Sequence, residues 1–307
     1  MKMTTAALSQ APDPATRCPS TMPRCDFALL GVAPDMSGQV GPQAIWRCQQ
    51  CGHGLTMPAL PDPAFLYAAR ESQDFQPEAA GLERAIKRWF FRRQARRLIA
   101  QLPADMHRRP MRVLDFGCGS GLFTRVLAEE LAPSGGTVTG ADFHAEAPPE
   151  LVGQPWIPMA ELSSARGRFD VVQASHVLEH DDDSRGLLAR IAATVRPGGV
   201  LVLEVPDVDC VWARVFGMKW DAWYAPFHRS HFSRSSLCAM LIDAGLDIVA
   251  IHDICVPTMG RTLANLMGRK NTLPFILAGA ALHPLQWGVE ALGHTPSALR
   301  AVVRKPL

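Results

Sequence analysis

The stretch Asp115-Phe116-Gly117-Cys118-Gly119-Ser120-Gly121 combines residue types and spacing that specify ligand chemistry. Three glycines at alternate positions let the backbone turn sharply and let a ligand approach where a Cβ would collide. Asp115 stands just ahead of them, where a pyrophosphate-binding loop carries its first glycine, so a carboxylate there suits a cationic ligand. A second carboxylate, Asp142, follows Gly121 by twenty-one residues. At that separation an acid closing the next strand accepts hydrogen bonds from both hydroxyls of a ribose. The two acids and the glycines together predict a nucleoside site.

Such a loop has to be held between a strand and a helix. Met111, Val113 and Leu114 read as a short buried strand before it, and residues 122–131 as the helix after it. The alternation continues, with strands near 112–116, 137–141, 169–174, 199–205 and 246–252 and helices near 121–131, 184–195 and 233–244. This order predicts an α/β fold, a largely parallel sheet with helices on both faces and ligands bound beyond the carboxyl ends of the strands. Arg196-Pro197-Gly198-Gly199 reads as a turn that stops one helix and leads into the next strand.

Lys and Arg total 31 against 29 Asp and Glu, a formal charge of +2, so no global field argues for nucleic acid. Residues 1–16 lack a continuous apolar run, read as a disordered tail and make no secretory signal. Half of the eight cysteines lie near the N-terminus: Cys18 and Cys25, then Cys48 and Cys51 in a Cys-Gln-Gln-Cys knuckle. Four thiolates suit a closed tetrahedral structural Zn2+, with His53 as a substitute ligand; buried or free thiols are the competing reading. Cysteine usage of this kind fits a reducing, cytoplasmic compartment.

The loop with Asp115 and Asp142, together with Phe169-Asp170-Val171-Val172, Ser175-His176-Val177-Leu178-Glu179-His180 and residues 196–206, resembles the class I S-adenosylmethionine-dependent methyltransferases. The resemblance extends to a subgroup with an N-terminal zinc ribbon, although six residues separate Cys18 from Cys25 where that subgroup has two. It implies a Rossmann-like, doubly wound seven-stranded sheet with a small ribbon and a helical cap before the last strand. The implied boundaries are 1–16 tail, 17–58 ribbon, 59–110 linker and capping helix, and 111–307 methyltransferase domain. Within the last, 253–296 is the cap and 297–305 the final antiparallel strand. The implied S-adenosylmethionine contacts are Asp115, Gly117, Gly119, Gly121, Asp142, Phe143, Glu161 and Ser175.

Methyl transfer needs an acceptor lone pair aligned with the methyl group, and a hydroxyl or carbon acid also needs a base. Histidine fits near neutral pH. His176, His180, His228 and His231 are the candidates, each of which can instead hydrogen-bond a loop; His180 and His231 are favoured as bases, with Glu179 tuning them. A metal held by His176 and His180 lacks a third ligand at useful spacing. The aromatic-rich segment 207–232 reads as a pocket wall or as core, and the basic run 83–99 as a solvated face or an anion site. The acceptor is a small molecule; O-, N- and C-methylation stay open, as do oligomeric state and two rival classes, an NAD-dependent oxidoreductase and an inactive ribbon protein. Residues 273–292 are apolar, but His283-Pro284 and Glu290 argue against a transmembrane span. They read as two short helices over the acceptor pocket, with peripheral contact with a membrane-borne acceptor through Arg261, Arg269 and Lys270 as the alternative.

Overall fold

The computed structural model describes residues 25–60, 65–66, 81–143 and 146–307. The 1–16 tail and Cys18 lie outside the described residues.

A seven-stranded sheet forms the body. Its strands are β4 (Arg112–Phe116), β5 (Thr137–Asp142), β6 (Trp156–Pro158), β7 (Phe169–Ser175), β8 (Val195–Pro206), β10 (Asp247–Ile254) and β11 (Ala298–Arg304). The order is β10-β11-β8-β7-β4-β5-β6; the last five named run parallel, and β11 pairs antiparallel with both β8 and β10. Successive side chains on a strand face opposite ways, so the apolar runs feed two cores. Leu114, Phe116, Val172, Leu201 and Leu203 pack with Leu187 and Ile191 of α3 (Ser184–Thr194) and Leu237 and Leu241 of α5 (Arg234–Asp243). Val113, Val171, Val200, Val202 and Val302 pack with Ala95 and Leu98 of α1 (Leu82–Gln101) and Val126 and Leu127 of α2 (Leu122–Leu131).

Four arginines of α1 are matched by acids. Arg88 and Arg92 pair with Glu129, Arg92 and Arg96 with Glu130, and Arg84 bidentately with Glu150. The basic run is therefore an ion-paired seam against its neighbours, in which each exposed pair contributes about 0–1 kcal/mol.

A second sheet, β1-β2-β3-β9, is antiparallel and joins the N-terminal segment to the body: β1 (Phe27–Ala33), β2 (Gln43–Cys48) and β3 (Gly54–Met57) are completed by β9 (Ser230–His231). A Cβ on Gly54 would lie 2.9 Å from the His231 Cβ, so glycine is required for this close cross-strand pair. Arg229, 1 % exposed, donates to the carbonyls of Thr56 (2.8 Å) and Pro58 (2.6 Å).

Two expectations are corrected. Arg196-Pro197-Gly198-Gly199 does not separate helix from strand: β8 already starts at Val195, and the four residues form an irregularity between the pairs Phe169↔Val195 and Val171↔Val200. Between β10 and β11 lie α6 (Met259–Leu266) and α7 (Leu273–Gly293), and α7 runs unbroken through Pro284. Pro284 and Ala280 are both exposed, so the carbonyl that loses its helical donor sits at the surface, where the loss is least costly. No helix among the described residues is long and apolar enough to cross a membrane.

Candidate active site

The glycine loop is fixed from below. Gly117 and Cys118 donate their N–H groups to the Ala141 carbonyl at 2.8 and 3.2 Å, and Gly119 donates to Asp142 Oδ2 at 2.8 Å. Asp142 Oδ1 accepts from the Phe143 N–H at 2.7 Å. An ionised carboxylate has about four acceptor positions, and these backbone bonds orient it at the end of β5. Gly117 and Gly121 have positive φ, and a Cβ would meet Val177 at 2.4 Å and Leu151 at 2.5 Å. Gly119 also has positive φ (55°), but a Cβ there would meet nothing within 4 Å. The loop thus has two closely packed glycines and, between them, one beside open space of the kind a nucleoside needs.

Asp115 does not face that space. It is 1 % exposed, Oδ2 accepts from the Thr124 hydroxyl (2.6 Å) and Oδ1 from Gln173 Nε2 (2.7 Å). Burial pushes its pKa up to about 6 against those two bonds, and the Asp142 charge adds to the rise. Ser175 belongs to the same network, its hydroxyl donating to Gln173 Oε1 at 2.9 Å. Phe143 is 56 % exposed and meets Phe116 edge-on, while Glu161 is exposed on the turn Met159–Ala165 after β6.

A cavity of about 250 Å³ opens at the carboxyl ends of β7 and β8. His176, His180, Asp221, Tyr224, His228 and Arg261 supply its polar and aromatic lining. His176 has φ 55°, a conformation that non-glycine residues seldom adopt. Its ring bridges Glu179 Oε1 (Nδ1, 2.9 Å) and Glu204 Oε1 (Nε2, 3.3 Å). Burial opposes its charge, but the two carboxylates prevail and push the imidazole up to about 10. Burial raises Asp221 to about 6 despite Arg261, whose Nε lies 3.1 Å from Oδ1.

His180 and His228 meet edge-to-face at 4.8 Å. His180 Nδ1 lies 3.1 Å from the Phe227 carbonyl and His228 Nδ1 lies 2.8 Å from the Ala222 carbonyl. A carbonyl only accepts, so each Nδ1 carries a proton, and the neutral form of either ring has its lone pair on Nε2. Burial above all holds His228 well below its ordinary pKa, and the neighbouring His180 and His231 act in the same direction. Glu179 is 1 % exposed and its Oε2 has no hydrogen-bond partner. One ligand atom from each of Glu179, His180 and His228 lies within 4.8 Å of the other two. His228 joins Glu179 and His180 from a distant loop, while His176, the partner that local spacing suggested for His180, is not part of the group.

His231 is not at this cavity. It is 2 % exposed, and its Nε2 lies 2.8 Å from the Thr56 hydroxyl, whose own proton goes to the His228 carbonyl at 2.6 Å. His231 Nε2 must therefore be the donor, so the ring has no lone pair there for a base. Burial, then His53 and Arg229, lower its pKa to about 3. The aromatic segment is likewise mostly core: Trp220 and Trp223 are buried in a cluster with Ala33 and Ile45. Tyr224 is its ring at the cavity. Glu204, Arg300 and Asp221 escaped sequence reasoning, although a lone Glu in Val200–Val205 and Arg300 set between Leu299 and Ala301 in β11 signalled a buried pair. Cys25, Cys48 and Cys51 gather in one buried cluster against Phe27.

A profile described as a methyltransferase domain matches residues 87–251, over half of the chain. The chain belongs to that family. The chain is 37 % identical over 156 residues to a ubiquinone biosynthesis O-methyltransferase of Rhodopseudomonas palustris (strain BisB18), covering 44 % of this chain and 61 % of that protein. A protein of the same description from Rhizobium leguminosarum bv. trifolii is 39 % identical over 101 residues, 30 % of this chain and 38 % of its own. The chain therefore spans under two thirds of the length of these relatives. A chain of the Haloferax volcanii complex between the Trm112 methyltransferase activator and a methyltransferase matches with TM-score 0.50 and 17 % identity. That match covers 78 % of this chain and 96 % of the other, and it shows the fold alone.

Proposed function

We propose that the protein transfers a methyl group from S-adenosylmethionine to a hydroxyl of a small molecule held in the cavity beside His180. The observation that carries this reading is the commitment of His180 Nδ1 to the Phe227 carbonyl, which leaves Nε2 as the ring's basic atom at the cavity. The description of the relatives as O-methyltransferases agrees with a hydroxyl acceptor.

The nucleoside is assigned to Asp142, through the ribose hydroxyls, and to the open side of Gly119; Phe143 and Glu161 border the adenine, and Asp115 and Ser175 support the loop from beneath. When bound, S-adenosylmethionine supplies an electrophilic methyl group on a sulfonium. His180 Nε2 takes the acceptor's proton as the new O–CH3 bond forms. The Glu179 carboxylate offsets the imidazolium charge. Arg261 and Asp221 orient the acceptor's polar end. Production of S-adenosylhomocysteine across a panel of hydroxyl- and amine-bearing small molecules tests the reading. Turnover on hydroxyl acceptors, abolished in His180→Ala, supports it; turnover on amines alone, indifferent to that substitution, refutes it and leaves catalysis to proximity.

The grouping of Glu179, His180 and His228, one ligand atom of each within 4.8 Å of the others, favours a second reading of the same cluster, as the seat of a divalent cation that orients an oxygen acceptor. Activity that disappears with chelator and returns with Mg2+, Mn2+ or Zn2+ supports it, and indifference to chelator removes it.

The N-terminal cysteines are proposed to hold one structural Zn2+ through Cys25, Cys48, Cys51 and Cys18. What supports the reading is that three of these thiols pack in one buried cluster and that thiolates are the donor chemistry of such a site. Elemental analysis giving less than half an equivalent of zinc, in protein purified without chelator, would count against it.

A further inference from the structure

α7 is inside out. Two of its polar side chains, Gln286 and Glu290, are buried and satisfied by the Val256 carbonyl, Trp212 Nε1 and Ser297. Its surface is made of Leu273, Ile276, Leu277, Leu285, Trp287 and Leu292, 53 to 87 % exposed. At 100° per residue, Leu273, Ile276, Leu277 and Trp287 share one face of a helix roughly 30 Å long. An apolar strip of that length on a folded surface marks an interaction site.

Its chemistry identifies the partner. A protein interface carries about one hydrogen bond per 100–200 Å², and the exposed face of α7 offers only the Trp287 indole and, at its edge, the part-exposed His283 imidazole. From Cys255 to Ser297 the sequence contains one acid, the buried Glu290, against Arg261, Arg269 and Lys270. Arg269 and Lys270 are exposed immediately ahead of the helix. An apolar face with an exposed tryptophan and a basic flank is the pattern of a helix lying in a membrane interface. We propose that α7 seats the protein on the surface of an anionic lipid bilayer, with its axis in the membrane plane.

The seat adjoins the cavity. α6 and α7 meet at Gly260 and Gly279, where a Cβ on Gly279 would lie 2.6 Å from the Gly260 nitrogen. α6 supplies Arg261 to the cavity lining, so the lipid-facing helix is one layer from the acceptor. The inference goes beyond the proposed reaction and does not need it, since its test reads binding and no turnover.

Flotation of the full chain with phosphatidylcholine vesicles, with and without phosphatidylglycerol, tests it. The protein is expected to float with the anionic vesicles, and Arg269→Glu/Lys270→Glu to weaken that binding by at least on the order of thirtyfold, from the loss of two basic contacts. Leu277→Glu/Leu285→Glu should abolish flotation while leaving the melting temperature and S-adenosylmethionine affinity unchanged. Brominated acyl chains should quench fluorescence in wild type and less in Trp287→Phe. Wild-type protein that stays in the dense fraction with anionic vesicles overturns the proposal, as do glutamate variants that float like wild type. A dimer in light scattering that Leu277→Glu converts to monomer, without flotation, assigns the face to a second copy and overturns it equally.

Discussion

Arg300 grips Glu204 across the β8–β11 pair through Nε at 2.9 Å and Nη2 at 2.6 Å, with both side chains 4 % exposed. Glu204 Oε1 meets His176 and His176 meets Glu179, so this buried pair is the foundation on which one wall of the cavity is set. Removing one partner of a buried ion pair costs about 3–5 kcal/mol, because the other charge stays desolvated. Arg300→Met should lower the urea-derived stability by that amount, and Glu204→Leu/Arg300→Met should recover most of it. A cost below about 1 kcal/mol in the single variant would show that the pair is hydrated and the wall independent of it.

The pH dependence of stability follows from the same groups and has two sides. His53 is fully buried with neither ring nitrogen hydrogen-bonded, and burial lowers it to about 3; His231 is lowered to about 3 as well. Between about 3 and the ordinary value near 6.5 the unfolded chain binds more protons at these sites, so stability falls as pH falls through that window. His176 is raised to about 10, so its contribution is complete below about 6.5 and is lost as pH rises towards 10. Urea midpoints from pH 4 to 10 should trace a maximum near neutrality. His53→Leu should flatten the acid limb, and an acid limb unchanged in that variant would contradict the assignment.

The two histidines favoured from sequence should separate cleanly. His180→Ala should reduce kcat by about 10²–10⁴-fold, the usual contribution of a general base, with little change in S-adenosylmethionine affinity. His231→Gln should lower stability through the Thr56 contact and leave kcat within a few fold of wild type. The opposite ranking would return the base to His231.

The loop glycines make a steric prediction. Gly117→Ala forces a Cβ into Val177 at positive φ and should abolish cofactor binding. Gly119→Ala meets open space, so the variant should stay folded at a cost of about 1–2 kcal/mol for its positive φ and lose affinity as the methyl group takes the ligand's room. Calorimetry beside thermal melts distinguishes the two; a Gly119→Ala protein that binds normally would place the nucleoside elsewhere.

Local signals account for what the sequence made legible. Glycines with a preceding acid, apolar strands such as Val113-Leu114 and the acid ending β5 each report on their own neighbourhood, and they located the sheet and the loop. Long-range pairing left no such trace. β9 has two residues, and nothing in Ser230-His231 announces that Gly54 and Leu55 pair with them. His228 and His231 are three residues apart, and in extended chain an odd separation turns side chains to opposite sides. Only the position of β3 decides which of them reaches the cavity. Pro284 failed as a helix breaker because exposure of the Ala280 turn removes most of the cost that a buried proline would carry.

Titration of S-adenosylmethionine into wild type and Asp142→Ala tests the central claim, that the Gly119 loop and Asp142 form the cofactor site of a methyltransferase. One equivalent should bind to wild type, and the variant, folded by its unchanged melting curve, should bind more weakly by about 1–3 kcal/mol as charge-assisted bonds to the ribose are lost. Equal affinity in the two proteins, or no binding to wild type, would contradict it.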